Sequence, residues 1–207
     1  MNIVLFGATG GTGRQVVAQA LDAGYFVTAV ARNPAALGIL HLHLTVMGGD
    51  VLSGETLRPA IAGKDVVVSA IGTTNRTPTK IYSVGLKNIL TAMGAAGVQR
   101  LLCVSASGLD PGPVYQKMFA RLILWHVYKG GYTDLLQMEK IVQASDVDWT
   151  IIRPPRLIDG KRTGKYQIAV NHPLSHGSLI ARADLADYIV RHLTDPTTRR
   201  AMVEIAY

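Results

Sequence analysis

Much that would direct attention elsewhere is missing from this chain. There is one cysteine, Cys103, so no internal disulfide can form. Its place in the apolar run Leu101-Leu102-Cys103-Val104 makes it a small core residue, as suits a reducing compartment. No stretch reaches the ~18 uninterrupted apolar residues of a membrane span. The longest candidate, Phe119 to Val127, is broken by Arg121 and His126. The chain opens directly on its first apolar run, so no targeting segment is expected and the expected location is the cytoplasm. Internal repeats, low-complexity tracts and linkers are missing too, and no metal site is expected. The net charge of +7 is carried by scattered residues, with Lys161-Arg162 and Arg199-Arg200 the only adjacent pairs. No DNA-reading motif accompanies them, so neither nucleic acid nor a membrane is the expected partner. The basic balance reads as a solvated surface with several charges aimed at an anionic small molecule.

What is present points one way from the start. At 207 residues and 48% hydrophobic content, the chain suits a single domain spanning 1–207. Asn2-Ile3-Val4-Leu5-Phe6 has the continuous apolar run of a strand buried on both faces. It passes straight into Gly7-Ala8-Thr9-Gly10-Gly11-Thr12-Gly13. The apolar period then becomes helical, with Val16, Val17, Ala20 and Leu21 on one face and Gly24 as the stop. Strand, glycine turn and helix are the context in which G-x-x-G-x-x-G means dinucleotide binding. Gly7 permits the tight turn, Gly10 lets backbone approach a pyrophosphate, and Gly13 lets helix pack on strand. The helix N-terminus adds unpaired N–H groups and a partial positive charge. The second strand, Phe26 to Ala31, is followed by Arg32-Asn33-Pro34. An enzyme of this type that uses NAD places an acid there for the ribose hydroxyls. Arg32 is suited instead to a 2′-phosphate, so the expected cofactor is NADP, with Arg14 as a second contact.

Further strands follow at Leu42 to Val46, Val66 to Ile71, Leu101 to Val104 and Trp149 to Ile152, with a last one at Ala201 to Ala206. Helices are predicted over Ser53 to Ala62, Ile81 to Ala96, Tyr132 to about Ala144 and Ala183 to Leu193. Each strand's carboxyl end carries residues suited to a ligand: Asp50 and Val51, Ile71 and Gly72, then Ser105. Val114 to Tyr128 reads as an apolar helical segment with Met118, Leu122 and Trp125 on one stripe. Arg153-Pro154-Pro155 must leave the sheet, because proline cannot donate to a ladder. Arg156 to Ser178 reads as irregular. The predicted fold is α/β, one Rossmann-type doubly wound parallel sheet of six or seven strands with helices on both faces. Its substrate pocket is expected from 105–131 and 153–182.

Gly7-Ala8-Thr9-Gly10 with Gly13, Gly48-Gly49-Asp50-Val51, Val104-Ser105 and Asp148-Trp149-Thr150-Ile151-Ile152-Arg153-Pro154 resemble the atypical short-chain dehydrogenase/reductases of NmrA-like, NAD(P)-binding type. Ala18 to Tyr25, Ile71-Gly72-Thr73, Lys87-Asn88-Ile89 and Thr163-Gly164-Lys165-Tyr166 are most similar to the flavin reductase/biliverdin-IX-beta reductase family. The resemblance implies phosphate contacts from Thr9, Gly10, Thr12 and Gly13, with Arg32 on the 2′-phosphate. It implies adenine contacts from Asp50 and Val51, and a ribose–nicotinamide half lined by Ile71, Gly72, Ser105 and Pro154. Two residues depart from the pattern: Ala106 stands where a second hydroxyl is expected, and Arg156 where the reductase has histidine.

Short-chain dehydrogenases that act on simple alcohols use Tyr-x-x-x-Lys, and none of the eight tyrosines here has lysine four residues on. The expected activity is therefore an NADPH-dependent reduction of a planar conjugated small molecule, with Ser105 and Arg156 as the catalytic candidates. The expected oligomeric state is monomer or homodimer. A non-catalytic NADP-sensing regulator that binds a partner protein is the alternative. An epimerase or dehydratase is disfavoured, since those retain the tyrosine.

Overall fold

A strand whose successive side chains are all apolar needs cover on both faces. In the computed structural model, which describes residues 1–73, 79–108 and 131–207, β1 (Asn2–Phe6) has it. Ile3 and Leu5 enter one core, with Val16, Val17 and Ala20 of α1 (Gly11–Asp22). Val4 and Phe6 enter the other, on the opposite face of the sheet.

The chain continues through β2 (Phe26–Ala31), β3 (Leu44–Gly48), α2 (Arg58–Ile61) and β4 (Val66–Ser69). After these come α3 (Ile81–Ala96), β5 (Arg100–Val104), α4 (131–143) and β6 (Asp148–Arg153). The remainder holds β7 (Arg156–Ile158), β8 (Gln167–Val170), β9 (Leu179–Ala181), α5 (Arg182–Arg191) and β10 (Ala201–Ala206). Leu185 and Ile189 of α5 join α1 on the first face, while Leu86 and Met93 of α3 and Met138 of α4 cover the second. Helices thus lie on both faces, as a doubly wound sheet requires.

Among the described residues, eight strands form the main sheet in the order β3-β2-β1-β4-β5-β6-β10-β8. All pair in parallel except β8, which runs antiparallel to β10. From β1 the chain winds outward to β2 and β3, then returns to lay β4, β5 and β6 on the other side. The switch falls between β1 and β4, where open α/β sheets take their ligands. The glycine turn leaves β1 at that point.

Several boundaries differ from the sequence expectation. The third strand starts at Leu44, because a turn in which the Leu44 N–H donates to the His41 carbonyl at 3.1 Å precedes it. Leu40 and Leu42 stay on the surface, 100% and 99% exposed. The helix expected over Ser53 to Ala62 divides into a single 3-10 turn, Gly54–Thr56, and the short α2, with Pro59 in its first turn. The segment expected to be irregular, Arg156 to Ser178, supplies β7 and β8, and β7 pairs with β9 as a separate two-stranded sheet. The apolar stripe of Val114 to Tyr128 lies outside the described residues. No helix among the described residues is long and apolar enough to cross a membrane.

Candidate functional site

Where β1 gives way to α1, three glycines do three different things. Gly7 has φ +82°, and a Cβ there would lie 2.4 Å from the Ala70 carbonyl oxygen of the strand-end beside it. A Cβ on Gly13 would lie 2.1 Å from the Gly7 carbonyl oxygen, so that glycine lets α1 pack directly on the turn. A Cβ on Gly10 would meet only the Gly7 oxygen, at 3.3 Å. Its open side faces a groove. No side chain caps α1, whose N-cap is Gly10. The N–H groups of its first turn are therefore left to whatever fills that groove.

The groove encloses about 500 Å³ at the carboxyl ends of β1, β2, β3, β4 and β5. It brings together Gly7, Thr9, Gly10 and Thr12 of the turn, Arg32 after β2, Asp50 and Val51 after β3, Ile71 and Gly72 after β4, and Ser105 after β5. These residues come from five strand-ends far apart in sequence and were all expected there. Asp50 is fixed by the backbone two residues on, with its Oδ1 accepting the Leu52 N–H at 3.0 Å. Val51 is held by Asn88, whose amide donates to its carbonyl at 2.9 Å. A dinucleotide fits this cradle: Thr9, Gly10 and Thr12 would hold the pyrophosphate, and Arg32, Asp50 and Val51 the adenosine half. Among the described residues no three His, Cys, Asp or Glu side chains cluster to hold a metal.

Four candidates do not line the groove: Gly13, whose backbone packs on the Gly7 carbonyl instead of facing a phosphate, and Arg14, Pro154 and Arg156. Arg14 donates from Nε to the Thr9 carbonyl at 3.1 Å, from Nη1 to the Leu37 carbonyl at 2.6 Å, and from Nη2 to the Ala36 carbonyl. Its guanidinium thus pins the turn after Arg32 and the glycine loop to each other. Pro154 is buried, and its carbonyl accepts the Ser107 N–H at 2.8 Å. Arg156 opens β7, where alternation sends Leu157 into the groove and leaves Arg156 exposed. Of the segments expected to form the pocket, Ser105, Ala106, Leu157 and Arg182 line the groove. Ser107, Gly108, Pro155 and residues of 171–177 line a second cavity of about 750 Å³.

Ser105 has a neighbour that its sequence context did not announce. Its Oγ donates to Glu139 Oε1 at 2.7 Å. Glu139, 2% exposed, is clasped by Arg153, from Nε to Oε1 at 2.9 Å and from Nη2 to Oε2 at 2.6 Å. A buried carboxylate is stable only when paired and hydrogen-bonded, and this fork supplies both. Because the Ser105 proton points at Glu139, the side of Oγ that faces the groove is a lone pair. Tyr82 also lines the groove, its phenol oxygen accepting the Thr73 N–H at 3.2 Å. Burial raises its pKa and keeps it protonated. Tyr82 is set in place by Asp134 of α4, which accepts the Tyr82 N–H at 2.9 Å and the Ser83 N–H at 3.2 Å. Arg182, the first residue of α5, lies against Gly11. No local pattern marks Tyr82, Leu157 or Arg182. Each reaches the groove from an element whose position depends on the folded sheet.

A glycine turn between strand and helix, open at a topological switch point and ringed by strand-end residues, defines a Rossmann-type dinucleotide-binding protein. The chain belongs to the NAD(P)H-binding family, whose model matches residues 7–196. This agrees with its likeness to the atypical short-chain dehydrogenase/reductases. Reductase pytE of Aspergillus terreus is 29% identical over 241 residues, covering 92% of this chain and 90% of that one. Among solved structures, ChuY, an anaerobillin reductase from Escherichia coli O157:H7, superposes with a TM-score of 0.79 at 24% identity, over 100% of this chain and 97% of that one. A short-chain dehydrogenase/reductase from Veillonella parvula, in complex with NADP, gives 0.80 at 18% identity, over 100% and 94%. The two structures share the fold.

Proposed function

We propose that the protein is an NADPH-dependent reductase that passes hydride to a planar conjugated small molecule, such as a flavin, a quinone or a linear tetrapyrrole, in the cytoplasm. The observation that carries this reading is the hydrogen-bonding state of Ser105. Its hydroxyl donates to Glu139 at 2.7 Å, and Arg153 holds Glu139 from the far side. Ser105 therefore offers an acceptor to the groove and no proton. The Tyr82 phenol has Leu86 in place of lysine four residues on, and burial raises its pKa.

That arrangement selects the kind of acceptor. Hydride added to a simple ketone gives an alkoxide, whose basicity demands a positioned acid in the transition state. Hydride added to a conjugated ring system gives an anion spread over many atoms, which can take its proton from water. The nicotinamide supplies the hydride when the cofactor is bound. The protein's part is to hold the two planes together, and Val104, Ala106, Leu135 and Leu157 give the groove the apolar surface for it. The names of pytE and ChuY as reductases, and the NADP bound by the Veillonella protein, support the reading. Arg32 and the lack of an acid after β2 favour NADPH over NADH.

The test is NADPH consumption with FMN, a quinone, a linear tetrapyrrole and an unconjugated ketone. Turnover with one or more of the first three and none with the ketone is expected. Efficient ketone reduction would overturn the mechanism. Tight NADPH binding without turnover of any acceptor would favour the sensor role.

A further inference from the structure

Arg182 is the one arginine of α5 whose side chain reaches the cofactor groove. A Cβ built on Gly11 would lie 2.8 Å from both Cδ and Nε of Arg182, so the arm crosses directly over the first residue of α1. Its Nη1 donates to Asp159 Oδ1 at 2.7 Å, and the side chains are 30% and 94% exposed. Asp159 is thus a surface carboxylate, and such a pair contributes little to stability on its own. The guanidinium lies beside the loop whose N–H groups face the groove, with Asp159 on its exposed side.

We infer that Arg182 is a second phosphate-binding arm, which supplies its charge to the pyrophosphate of the dinucleotide beside the α1 N-terminus. The inference rests on the cofactor reading above and adds a residue to it. The chemistry fits the placement. A pyrophosphate carries two negative charges, and the α1 terminus offers about half of one positive charge. A guanidinium presents five donors in a rigid fork, so Nη1 can keep Asp159 while the remaining N–H groups turn to phosphate oxygens. Arg32 and Arg182 then divide the work. Arg32 stands beyond β2, at the adenine end, and meets a 2′-phosphate; Arg182 stands over Gly11 and meets the bridge between the two nucleotides. The ligand class that Arg182 reads is therefore any nucleoside diphosphate backbone, with or without the 2′-phosphate. Asp159 and Arg182 also bracket the substrate-side segment at 159–182. Phosphate engagement by Arg182 thus reaches that segment through a single ion pair.

The experiment compares NADPH with adenosine 2′-monophosphate, which carries the 2′-phosphate but no pyrophosphate, by direct titration and by competition. Wild type should bind both, and failure to bind either would overturn the cofactor reading itself. Arg182→Ala should weaken NADPH by about tenfold to a hundredfold and leave adenosine 2′-monophosphate within about twofold. Arg32→Ala should weaken both. Asp159→Asn, which removes the ion pair and spares the guanidinium, should not weaken NADPH. Equal losses in Arg182→Ala and Asp159→Asn would make the pair a structural pin and overturn the inference. So would an Arg182→Ala variant that binds NADPH like wild type, or one that loses both ligands equally.

Discussion

At the scale of single residues, Arg32 and Ser105 carry opposite expectations. On the proposed NADPH reading, Arg32→Ala should remove a charge-assisted contact to the 2′-phosphate and cost about 1.5–3 kcal/mol of NADPH affinity while leaving NADH nearly unchanged. Dissociation constants for the two cofactors check it, and equal losses would remove Arg32 from the 2′-phosphate. Ser105→Ala should lower turnover by only about tenfold, short of the ~10²–10⁴ lost with a general acid, because the hydroxyl proton is directed at Glu139. Glu139→Gln is a different experiment. It removes the charge of the buried carboxylate that Arg153, 5% exposed, clasps from two nitrogens, and should destabilise the fold by about 3–5 kcal/mol, read from chemical denaturation. The sequence announced Ser105 by its place after an apolar run. It could not announce Glu139, which stands on α4 and meets Ser105 only across the folded sheet. Arg156 shows the converse. Its neighbourhood was legible, but one step of strand alternation decided that Leu157 and not Arg156 turns inward.

Among the elements, the glycine turn separates binding from folding. Gly10→Val should abolish NADPH binding and leave the thermal midpoint nearly unchanged, since its side chain would enter the groove. Gly13→Val should instead fail to fold or lose several kcal/mol, because even its Cβ would lie 2.1 Å from the Gly7 carbonyl oxygen. Circular dichroism with cofactor titration on the two variants distinguishes the outcomes, and equal behaviour would mean that the turn is misread. Both roles were legible, because the motif fixes them at a spacing of three between a strand and a helix. The edges of the molecule were harder to read. In Leu40-His41-Leu42-His43-Leu44 the alternation suits a strand throughout, yet pairing of β2 with β3 begins at Val27 opposite Leu44. β7 and β8 lie among glycines and charged residues, and at three and four residues each is too short to signal a strand by itself. β8 is recruited by β10, a partner more than thirty residues on.

Over the whole molecule, α5 acts as a clamp. Asp184 accepts the Thr163 and Gly164 N–H groups at 2.7 and 2.8 Å, the Thr163 hydroxyl at 2.7 Å and the Tyr207 phenol at 2.6 Å. Asp187 takes Arg162, Tyr166 and Arg191. Burial opposes the charged form of both, but these hydrogen bonds outweigh it and hold both carboxyls below the ordinary aspartate pKa. A depressed carboxyl pKa contributes stability that is fully present above the unfolded value, about 3.9, and is lost as pH falls through the folded one. Stability should therefore hold from neutral pH to about 4 and decline below it. Asp184→Asn should lower stability at neutral pH by about 2–4 kcal/mol and make the acid decline shallower. Denaturant midpoints measured across pH test both, and an unchanged acid slope in the variant would release Asp184 from this role. The position of β10 in the sheet bears on how the protein is made. β10 holds residues 201–206, yet it sits between β6 and β8. A ribosome releases the chain in order, so β6 waits with an open flank and β8 without its neighbour until those six residues emerge. The sheet closes from the inside, with the latest in sequence of its eight described strands, and until β10 emerges its half-built edge is exposed to other nascent chains.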